Sequence, residues 1–142
     1  MRVLTVRGLR IGEGRPKIIA PIVARTPEQA LAQAARLLEQ PVELAEWLRG
    51  ALPLPLLFTY RTKAEGGEGG LPQQDYLALN RAAARGGHAD LIDVELRAGE
   101  DDVRALIADI RAAGAYSVLS SHDFCATPPQ AQLLGTLKRM RE

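Results

Sequence analysis

The sequence predicts an α/β domain in which helices connect the strands of a parallel sheet. Short apolar runs recur along the chain, for example at residues 54–60, 89–96 and 115–120, and segments with apolar residues at helical spacing lie between them. This alternation of strand and helix is typical of βαβ crossovers. The runs are nearly continuous, as expected for strands that are covered on both faces. A flavodoxin-like sandwich and part of a βα barrel both fit the pattern.

The chain begins with a predicted hairpin. Apolar and polar residues alternate from Val3 to Gly12 around Gly8, a pattern that favours two short strands joined by a turn. A loop at residues 12–16 follows, and the apolar run at residues 18–23 predicts a strand. Because Pro21 lies within that run, we expect the strand to lack one hydrogen-bond donor.

A helix and a second strand come next. Thr26 suits an N-cap, and apolar residues then repeat at helical spacing until Leu38. Residues 42–47 predict a strand, and the next strand begins at about Leu54. The six residues from 48 to 53 are too few for a parallel crossover with a helix, which needs about 10–12 residues. Either these strands are not parallel neighbours or a helix is missing between them.

The remaining elements follow the same alternation. Gly86-Gly87 and Gly114 are expected to end the two middle helices, and acidic residues occupy the first turn of the second one, where the helix dipole favours negative charge. The predicted elements are a strand at 54–60, a helix at 73–85, a strand at 89–96, a helix at 99–113, a strand at 115–120 and a final helix that is capped by Thr127-Pro128.

Composition and charge exclude several classes of protein. Eighteen basic residues against seventeen acidic ones give a net charge of +1, so we expect no nucleic-acid partner. No apolar run approaches the roughly 20 residues of a membrane span, and the start has charges where a signal peptide needs an apolar core. One cysteine and two histidines exclude the common structural zinc patterns. We therefore expect a cytoplasmic protein without a membrane segment or metal site.

Three polar residues stand out at predicted strand ends. His122 follows the strand at 115–120, at the carboxyl end where βα architectures build active sites, although a lone histidine there is equally well an ordinary loop residue. Asp93 and Glu95 lie two apart on one strand and therefore face the same way. They predict either a structural ion-pair network with a base such as Arg61 or a polar barrel interior near a substrate.

Other candidates favour structural interpretations. The segment from Arg61 to Gly70 is rich in glycine but matches no phosphate-binding pattern, so it predicts a flexible βα loop rather than a phosphate cradle. His88 precedes a strand and is expected on the surface. Cys125 lies near His122 but has no further residue that would make it a nucleophile.

Three motifs together resemble the type I 3-dehydroquinate dehydratases. FTYRTKAEGGE at residues 58–68 resembles the family's F-T-x-R-x-x-x-E-G-G-E segment, and IDVE at residues 92–95 resembles its I-D-x-E strand. SHDF at residues 121–124, followed by Thr127-Pro128, resembles its x-H-D-F-x-x-T-P segment. Residues 17–19 and Glu46-Trp47 match its first two strands. The matches are in order and span nearly the whole chain.

The resemblance implies a βα barrel of the TIM type that converts 3-dehydroquinate to 3-dehydroshikimate in the shikimate pathway, without metal or organic cofactor. A lysine of the family forms a Schiff base with the substrate ketone, and a histidine moves the proton. By motif that histidine is His122, and Glu65 is the acid that holds it in position. Substrate-binding positions match Glu46, Arg61, Asp93 and Glu95, which moves the interpretation of the strand carboxylates towards function.

The chain also departs from the family. The Schiff-base lysine lies about one βα unit beyond the histidine, and Lys17, Lys63 and Lys138 match no such position. The family's E-W-R-V-D motif is interrupted after Trp47, at the short junction described above. We therefore expect a truncated sequence with an internal deletion, in which residues 1–16 form the hairpin and loop and residues 17–142 form about five of eight βα units in one partial barrel domain.

Two functional expectations follow from the departures. The 142-residue chain alone is expected to be inactive, and its open sheet edges are expected to promote self-association or a homodimer. The alternative is a non-catalytic binding or scaffold protein that is derived from the same barrel.

Overall fold

The computed structural model describes residues 3–14, 21, 29 and 54–141. The chain divides into two compact units, Met1–Leu56 and Leu57–Glu142, which are described separately below. Apart from Pro21 and Gln29, the strand predicted at 18–23, the helix predicted from Thr26 and the strand predicted at 42–47 lie outside the described residues. The short junction after Trp47 lies outside them as well.

The first unit contains the predicted hairpin. Strand β1 (Leu4–Val6) pairs antiparallel with β2 (Leu9–Ile11), and Val6 lies opposite Leu9. This register leaves a two-residue turn, Arg7-Gly8, and both residues have positive φ, 47° and 78°. Positive φ at both positions defines the type I′ turn, whose twist matches that of paired strands. The hairpin prediction is confirmed.

The second unit contains a parallel sheet. Strands β3 (Leu57–Phe58), β4 (Leu91–Glu95) and β5 (Tyr116–Ser120) lie in the order β3-β4-β5, and both pairings are parallel. Helix α1 (Gln73–Arg85) connects β3 with β4, helix α2 (Glu100–Ala112) connects β4 with β5, and helix α3 (Gln130–Arg141) follows β5. The predicted βαβ alternation is therefore confirmed for this part of the chain.

Strand β4 separates an apolar layer from a polar one. All five of its residues are buried, as expected for a strand that is covered on both faces. Ile92 and Val94 are fully buried among apolar side chains of α1 and α2, and alternation along the strand turns Asp93 and Glu95 to the opposite face. The residues that share the core with Ile92 and Val94 include Leu77, Ala84, Val103, Leu106 and Ile110.

Two element boundaries differ from the prediction. The strand expected at 54–60 pairs only at Leu57 and Phe58, because Pro55 cannot donate to a ladder and the chain then turns into a loop. The final helix begins at Gln130, and the N–H of Leu133 donates to the carbonyl of Pro129 (3.1 Å). Thr127-Pro128 is therefore not its cap, because the residue before a proline avoids the helical conformation and the helix starts after Pro129.

The β3–α1 loop (residues 59–72) is folded back on itself. The N–H of Lys63 donates to the carbonyl of Gly69 (2.9 Å), and the N–H of Gly69 donates to the carbonyl of Arg61 (3.1 Å). A Cβ atom on Gly67 would overlap the carbonyl of Arg61. The glycines thus permit a close approach of two backbone segments, and this explains their number better than phosphate binding does.

Among the described residues, no helix has the length and apolar character that crossing a membrane requires.

We predict that Gly67→Ala lowers the free energy of unfolding by about 1–3 kcal/mol, the usual cost of forcing an extra methyl group into a packed position. Gly70→Ala is the matched control, because a Cβ there would meet only the end of the Lys63 side chain, at 3.8 Å. Urea denaturation of both variants measures the difference. Equal stability of the two variants would contradict the packing argument.

Candidate functional site

The carboxyl end of the sheet gathers five of the six predicted site residues. Arg61 and Glu65 lie in the β3–α1 loop, Asp93 and Glu95 lie on β4, and His122 lies just beyond β5. Parallel strands end at the same edge, so these side chains meet there although up to 61 positions separate them in the chain. The sixth predicted residue, Glu46, lies outside the described residues.

Arg61 is the centre of this group. One terminal nitrogen, Nη1, donates to Glu95 Oε1 (3.0 Å) and lies 3.6 Å from Glu65 Oε2. The other, Nη2, donates to Asp93 Oδ2. These ion pairs show the network with Arg61 that the strand carboxylates predicted. Their role in binding a substrate stays a prediction.

The burial of the carboxylates explains why they need this arginine. Glu65, Asp93 and Glu95 are only 3–5% exposed, and a buried carboxylate is costly unless it is paired and hydrogen-bonded. The guanidinium of Arg61 is planar and always charged, and its forked donors hydrogen-bond Asp93 and Glu95, while Glu65 lies 3.6 Å from Nη1. Among the described residues the cluster therefore contains more carboxylates than guanidinium groups.

Thr62 and Ser120 complete the hydrogen bonds of the cluster, and neither was predicted as a site residue. The N–H and the hydroxyl of Thr62 donate to the two oxygens of the Glu95 carboxylate (2.9 and 2.6 Å). Ser120 Oγ accepts from Arg61 Nη1 (3.0 Å) and donates to Asp93 Oδ1. The register places Ser120 opposite Glu95, and sequence alone does not give that register.

Glu65 holds His122 in two ways. Its Oε2 atom lies 2.9 Å from His122 Nδ1 and accepts the backbone N–H of His122 at 3.0 Å. An ionised carboxylate only accepts hydrogen bonds, so this contact places the proton of a neutral imidazole on Nδ1. The other nitrogen, Nε2, then keeps its lone pair. The arrangement is the pairing of a base with an orienting acid that general acid–base catalysis uses.

Phe124 covers one face of this pair. Its ring is stacked on that of His122, with 6.0 Å between centroids and 5° between planes. It also lies against Gly66, where any Cβ atom would overlap the Phe124 ring and φ is 83°. Gly66 directly follows Glu65, so the contact links the loop that carries the acid to the segment that carries the histidine.

An open cleft of about 1160 Å³ adjoins Glu65, His122 and Phe124, whereas Arg61, Asp93 and Glu95 do not line it. Its lining comes from the 3-10 turns Lys63–Glu65 and Leu96–Ala98, the segment after β5 and helix α3. His122 and Glu65 both line it, and so do Lys63, Arg97, Cys125 and Arg139.

His88 is exposed, as predicted, and lies outside the cleft. Among the described residues no group of His, Cys, Asp or Glu side chains is arranged to hold a metal ion.

Comparison with known proteins gives one family. A profile of the type I 3-dehydroquinase family matches residues 18–142. The 3-dehydroquinate dehydratases of Klebsiella pneumoniae (strain MGH 78578) and Salmonella agona are 38% and 34% identical to this chain. The alignments cover 98% and 100% of this chain, which spans 64% and 65% of the length of those relatives.

The alignments also bear on the predicted internal deletion. The one with the Klebsiella enzyme runs over 160 positions, which is 18 more than the 142 residues of this chain. That relative therefore has at least 18 residues opposite gaps in this chain.

Two solved structures are similar to this chain throughout its length. The type I 3-dehydroquinate dehydratase of Clostridium difficile, solved with covalently modified comenic acid, has a TM-score of 0.85 at 29% identity and matches 99% of this chain and 64% of its own. The enzyme of Enterococcus faecalis has the same TM-score at 34% identity and matches 97% of this chain and 66% of its own. These likenesses confirm the predicted fold class, an α/β fold of the TIM-barrel type.

The segment after His122 is held by the next residue, Asp123. Its Oδ1 atom accepts the N–H groups of Cys125 (2.9 Å) and Ala126 (3.1 Å). These backbone donors lower the pKa of the exposed Asp123 carboxyl from its ordinary value of 3.8, and the N–H of Ala126 has the larger effect. A lowered pKa means that the turn gains stability from the charged carboxylate above pH 3.8 and loses it as the pH falls through the pKa of the folded protein.

We predict that the backbone N–H resonances of Cys125 and Ala126 titrate together in NMR spectra, with a shared midpoint below pH 3.8. Asp123→Asn keeps an acceptor oxygen but cannot titrate, so both resonances should stay constant over the same range. A midpoint at or above 3.8 would contradict the pKa that these hydrogen bonds imply.

Proposed function

This chain belongs to the type I 3-dehydroquinase family, and we propose that it carries the acid–base and hydroxyl-binding groups of a site for 3-dehydroquinate. The observation behind this proposal is the contact between His122 Nδ1 and the buried Glu65 carboxylate, 2.9 Å, beside the Arg61 cluster. The motif resemblance to the family is confirmed by the profile match. Because the chain spans 64–65% of its curated relatives' length, the reaction itself is part of the proposal.

The proposed reaction is the loss of water from 3-dehydroquinate, which gives 3-dehydroshikimate. His122 Nε2 takes a proton from the carbon beside the ketone, and the electron pair of that C–H bond forms the C=C bond. The hydroxyl on the next carbon leaves and receives the proton from His122, so one molecule of water is released. Glu65 supports both steps, because a carboxylate at Nδ1 stabilises the imidazolium that forms between them.

The Arg61 cluster fits the hydroxyl groups of such a ligand. Carboxyl oxygens accept hydrogen bonds, and among the described residues this cluster has three carboxyl groups around one guanidinium. A hydroxyl-bearing ring offers the donors that spare carboxylate lone pairs require. We therefore propose Arg61, Asp93 and Glu95 as substrate-binding residues, together with Glu46 from the motif match.

The amine of the reaction is the part that this cleft supports least. In the type I scheme a lysine amine condenses with the ketone and releases water, and the iminium then acidifies the neighbouring C–H bond. Among the described residues, the lysine that lines the cleft is Lys63, and it is exposed in the β3–α1 loop. A nucleophilic lysine has to be neutral, which desolvation or a nearby cation favours.

The same observation favours a second candidate function, a non-catalytic binding protein derived from this barrel. Both candidates require the cluster to bind 3-dehydroquinate, and they differ in whether a covalent adduct forms. For the 142-residue polypeptide we therefore propose binding without covalent trapping. Self-association is a separate proposal, which rests on the exposed apolar residues of helix α3.

We predict that the 142-residue polypeptide binds 3-dehydroquinate in calorimetry. We also predict that reduction with sodium borohydride in the presence of 3-dehydroquinate leaves the intact mass of the polypeptide unchanged. His122→Gln should weaken the binding of 3-dehydroquinate about tenfold or more, because it removes the proposed hydrogen bond between the imidazole of His122 and the ligand. His88→Gln is the matched control, since His88 is exposed and lies outside the cleft, and it should bind like the parent.

The borohydride result separates the two candidates, and the binding result tests what they share. A mass increase after borohydride would show an iminium on this polypeptide and overturn the prediction of no trapping. Absence of binding by the parent would overturn the proposed function altogether.

We predict that this polypeptide self-associates at tens of micromolar. Helix α3 exposes Leu133, Leu134 and Leu137, and none of its residues is buried, although apolar residues in water favour association. Light scattering should therefore give a mass above 15.4 kDa, and Leu134→Glu with Leu137→Glu should lower it. A monodisperse monomer of the parent would contradict the prediction.

A further inference from the structure

Tyr76 connects the helical layer to the site although it is not part of the cluster. It lies in the first turn of α1 and is 3% exposed. Its hydroxyl oxygen accepts the backbone N–H of Glu95 at 2.9 Å. A side chain from the apolar side of β4 thus reaches the last residue of that strand, whose own side chain lies on the site face.

The position of Glu95 explains why it needs such a bond. Strand β3 pairs with β4 only at Leu91 and Ile92, so this ladder stops three residues before Glu95. Glu95 is buried, and a buried N–H group without an acceptor is costly. The Tyr76 hydroxyl supplies the acceptor at the point where the β3 chain has left the sheet for the β3–α1 loop.

The Glu95 carboxylate holds two residues of the β3–α1 loop by hydrogen bonds. Its Oε1 atom accepts the N–H of Thr62 and a guanidinium proton of Arg61, and its Oε2 atom accepts the hydroxyl of Thr62. Its backbone position therefore determines where the carboxylate can hold both loop residues. A shift of Glu95 would move the guanidinium that also contacts Asp93 and Glu65.

We propose that Tyr76 is a positioning residue that fixes Glu95, and through Glu95 the Arg61 guanidinium, at the substrate-binding end of the sheet. This proposal rests on the proposed function for the meaning of the site, but the structural link from Tyr76 to Arg61 is testable without it. Burial raises the pKa of the Tyr76 phenol above 10.0, and the neighbouring carboxylates Glu95 and Asp93 act in the same direction. The hydroxyl is therefore neutral at physiological pH.

The chain provides a matched control in Tyr60. Its ring lies against that of Tyr76, with 6.2 Å between centroids, and its hydroxyl also accepts a backbone N–H, that of Leu71 at 3.1 Å. The Leu71 bond is exposed and belongs to the loop before α1. Tyr60→Phe and Tyr76→Phe therefore remove the same chemical group from adjacent rings, but only the second removes a bond to Glu95.

The test uses NMR on the whole polypeptide. In the parent, the Glu95 amide should be as protected from hydrogen exchange as its neighbour Val94, and the Nη–H protons of Arg61 should give separate resonances because carboxylates hold both nitrogens. In Tyr76→Phe, exchange at Glu95 should accelerate at least tenfold relative to Val94, and the Arg61 resonances should merge. In Tyr60→Phe both signals should match the parent.

Two NMR results on the variants would overturn the proposal. One is a Tyr76→Phe variant whose Arg61 resonances stay separate, and the other is an equal effect of Tyr60→Phe. A purely structural role of Tyr76 would lower the thermal midpoint but leave the Arg61 resonances of the folded protein separate. If Tyr76→Phe does not fold, the parent decides alone, because fast exchange at Glu95 would refute the hydrogen bond.

Calorimetry with 3-dehydroquinate separates this proposal from the function it rests on. Tyr76→Phe should bind at least threefold more weakly than the parent, and Tyr60→Phe should bind equally. Unchanged affinity in Tyr76→Phe would contradict the positioning role at the site. If the parent does not bind, the proposed function fails, while the Arg61 resonances still decide whether Tyr76 positions the guanidinium.

Discussion

The need to neutralise buried carboxylates organises the end of this sheet. Asp93 and Glu95 lie on a strand that is buried on both faces, and Glu65 is buried in the loop beside it. Removing the partner of a buried ion pair typically costs about 3–5 kcal/mol, because a charge is left without compensation. Among the described residues Arg61 is the cation that contacts all three acids, and the backbone of the β3–α1 loop holds it there.

The local backbone follows from that requirement. The β3–α1 loop folds back so that Gly67 and Gly69 approach the carbonyl of Arg61 more closely than any residue with a Cβ atom could. The fold of the loop also brings Glu65 under His122, where one carboxylate oxygen serves both the ring and the backbone of the histidine. Glu65 thus connects the two groups, because it is hydrogen-bonded to His122 and ion-paired with Arg61 at 3.6 Å.

Sequence analysis predicted the parts of this arrangement that depend on local patterns. Helix α1 begins and ends where the apolar spacing and Gly86-Gly87 indicated, and the alternation on β4 correctly placed Asp93 and Glu95 on one face with Arg61. Local patterns alone left two architectures open, a flavodoxin-like sandwich and part of a βα barrel. The motif resemblance identified the family and thereby the second of them.

The features that sequence analysis missed depend on tertiary geometry. Ser120 joins the cluster because of the β4–β5 register, and Tyr76 because a helix packs at one particular height on the sheet. The cap predicted at Thr127 was wrong since two successive prolines delay the start of α3. That error was local rather than tertiary, because Pro128 and Pro129 are visible in the sequence and the residue before a proline disfavours the helical conformation.

The alternation on β4 also has a consequence for how the chain finds its fold. A shift of β4 by one residue against β5 would exchange the two faces of the strand. Asp93 and Glu95 would then enter the apolar layer of Leu106 and Ile110, while Ile92 and Val94 would face a guanidinium. The two carboxylates that pair with Arg61 therefore also penalise a one-residue slip of the strand, so that the same ion pairs that organise this end of the sheet favour a single register.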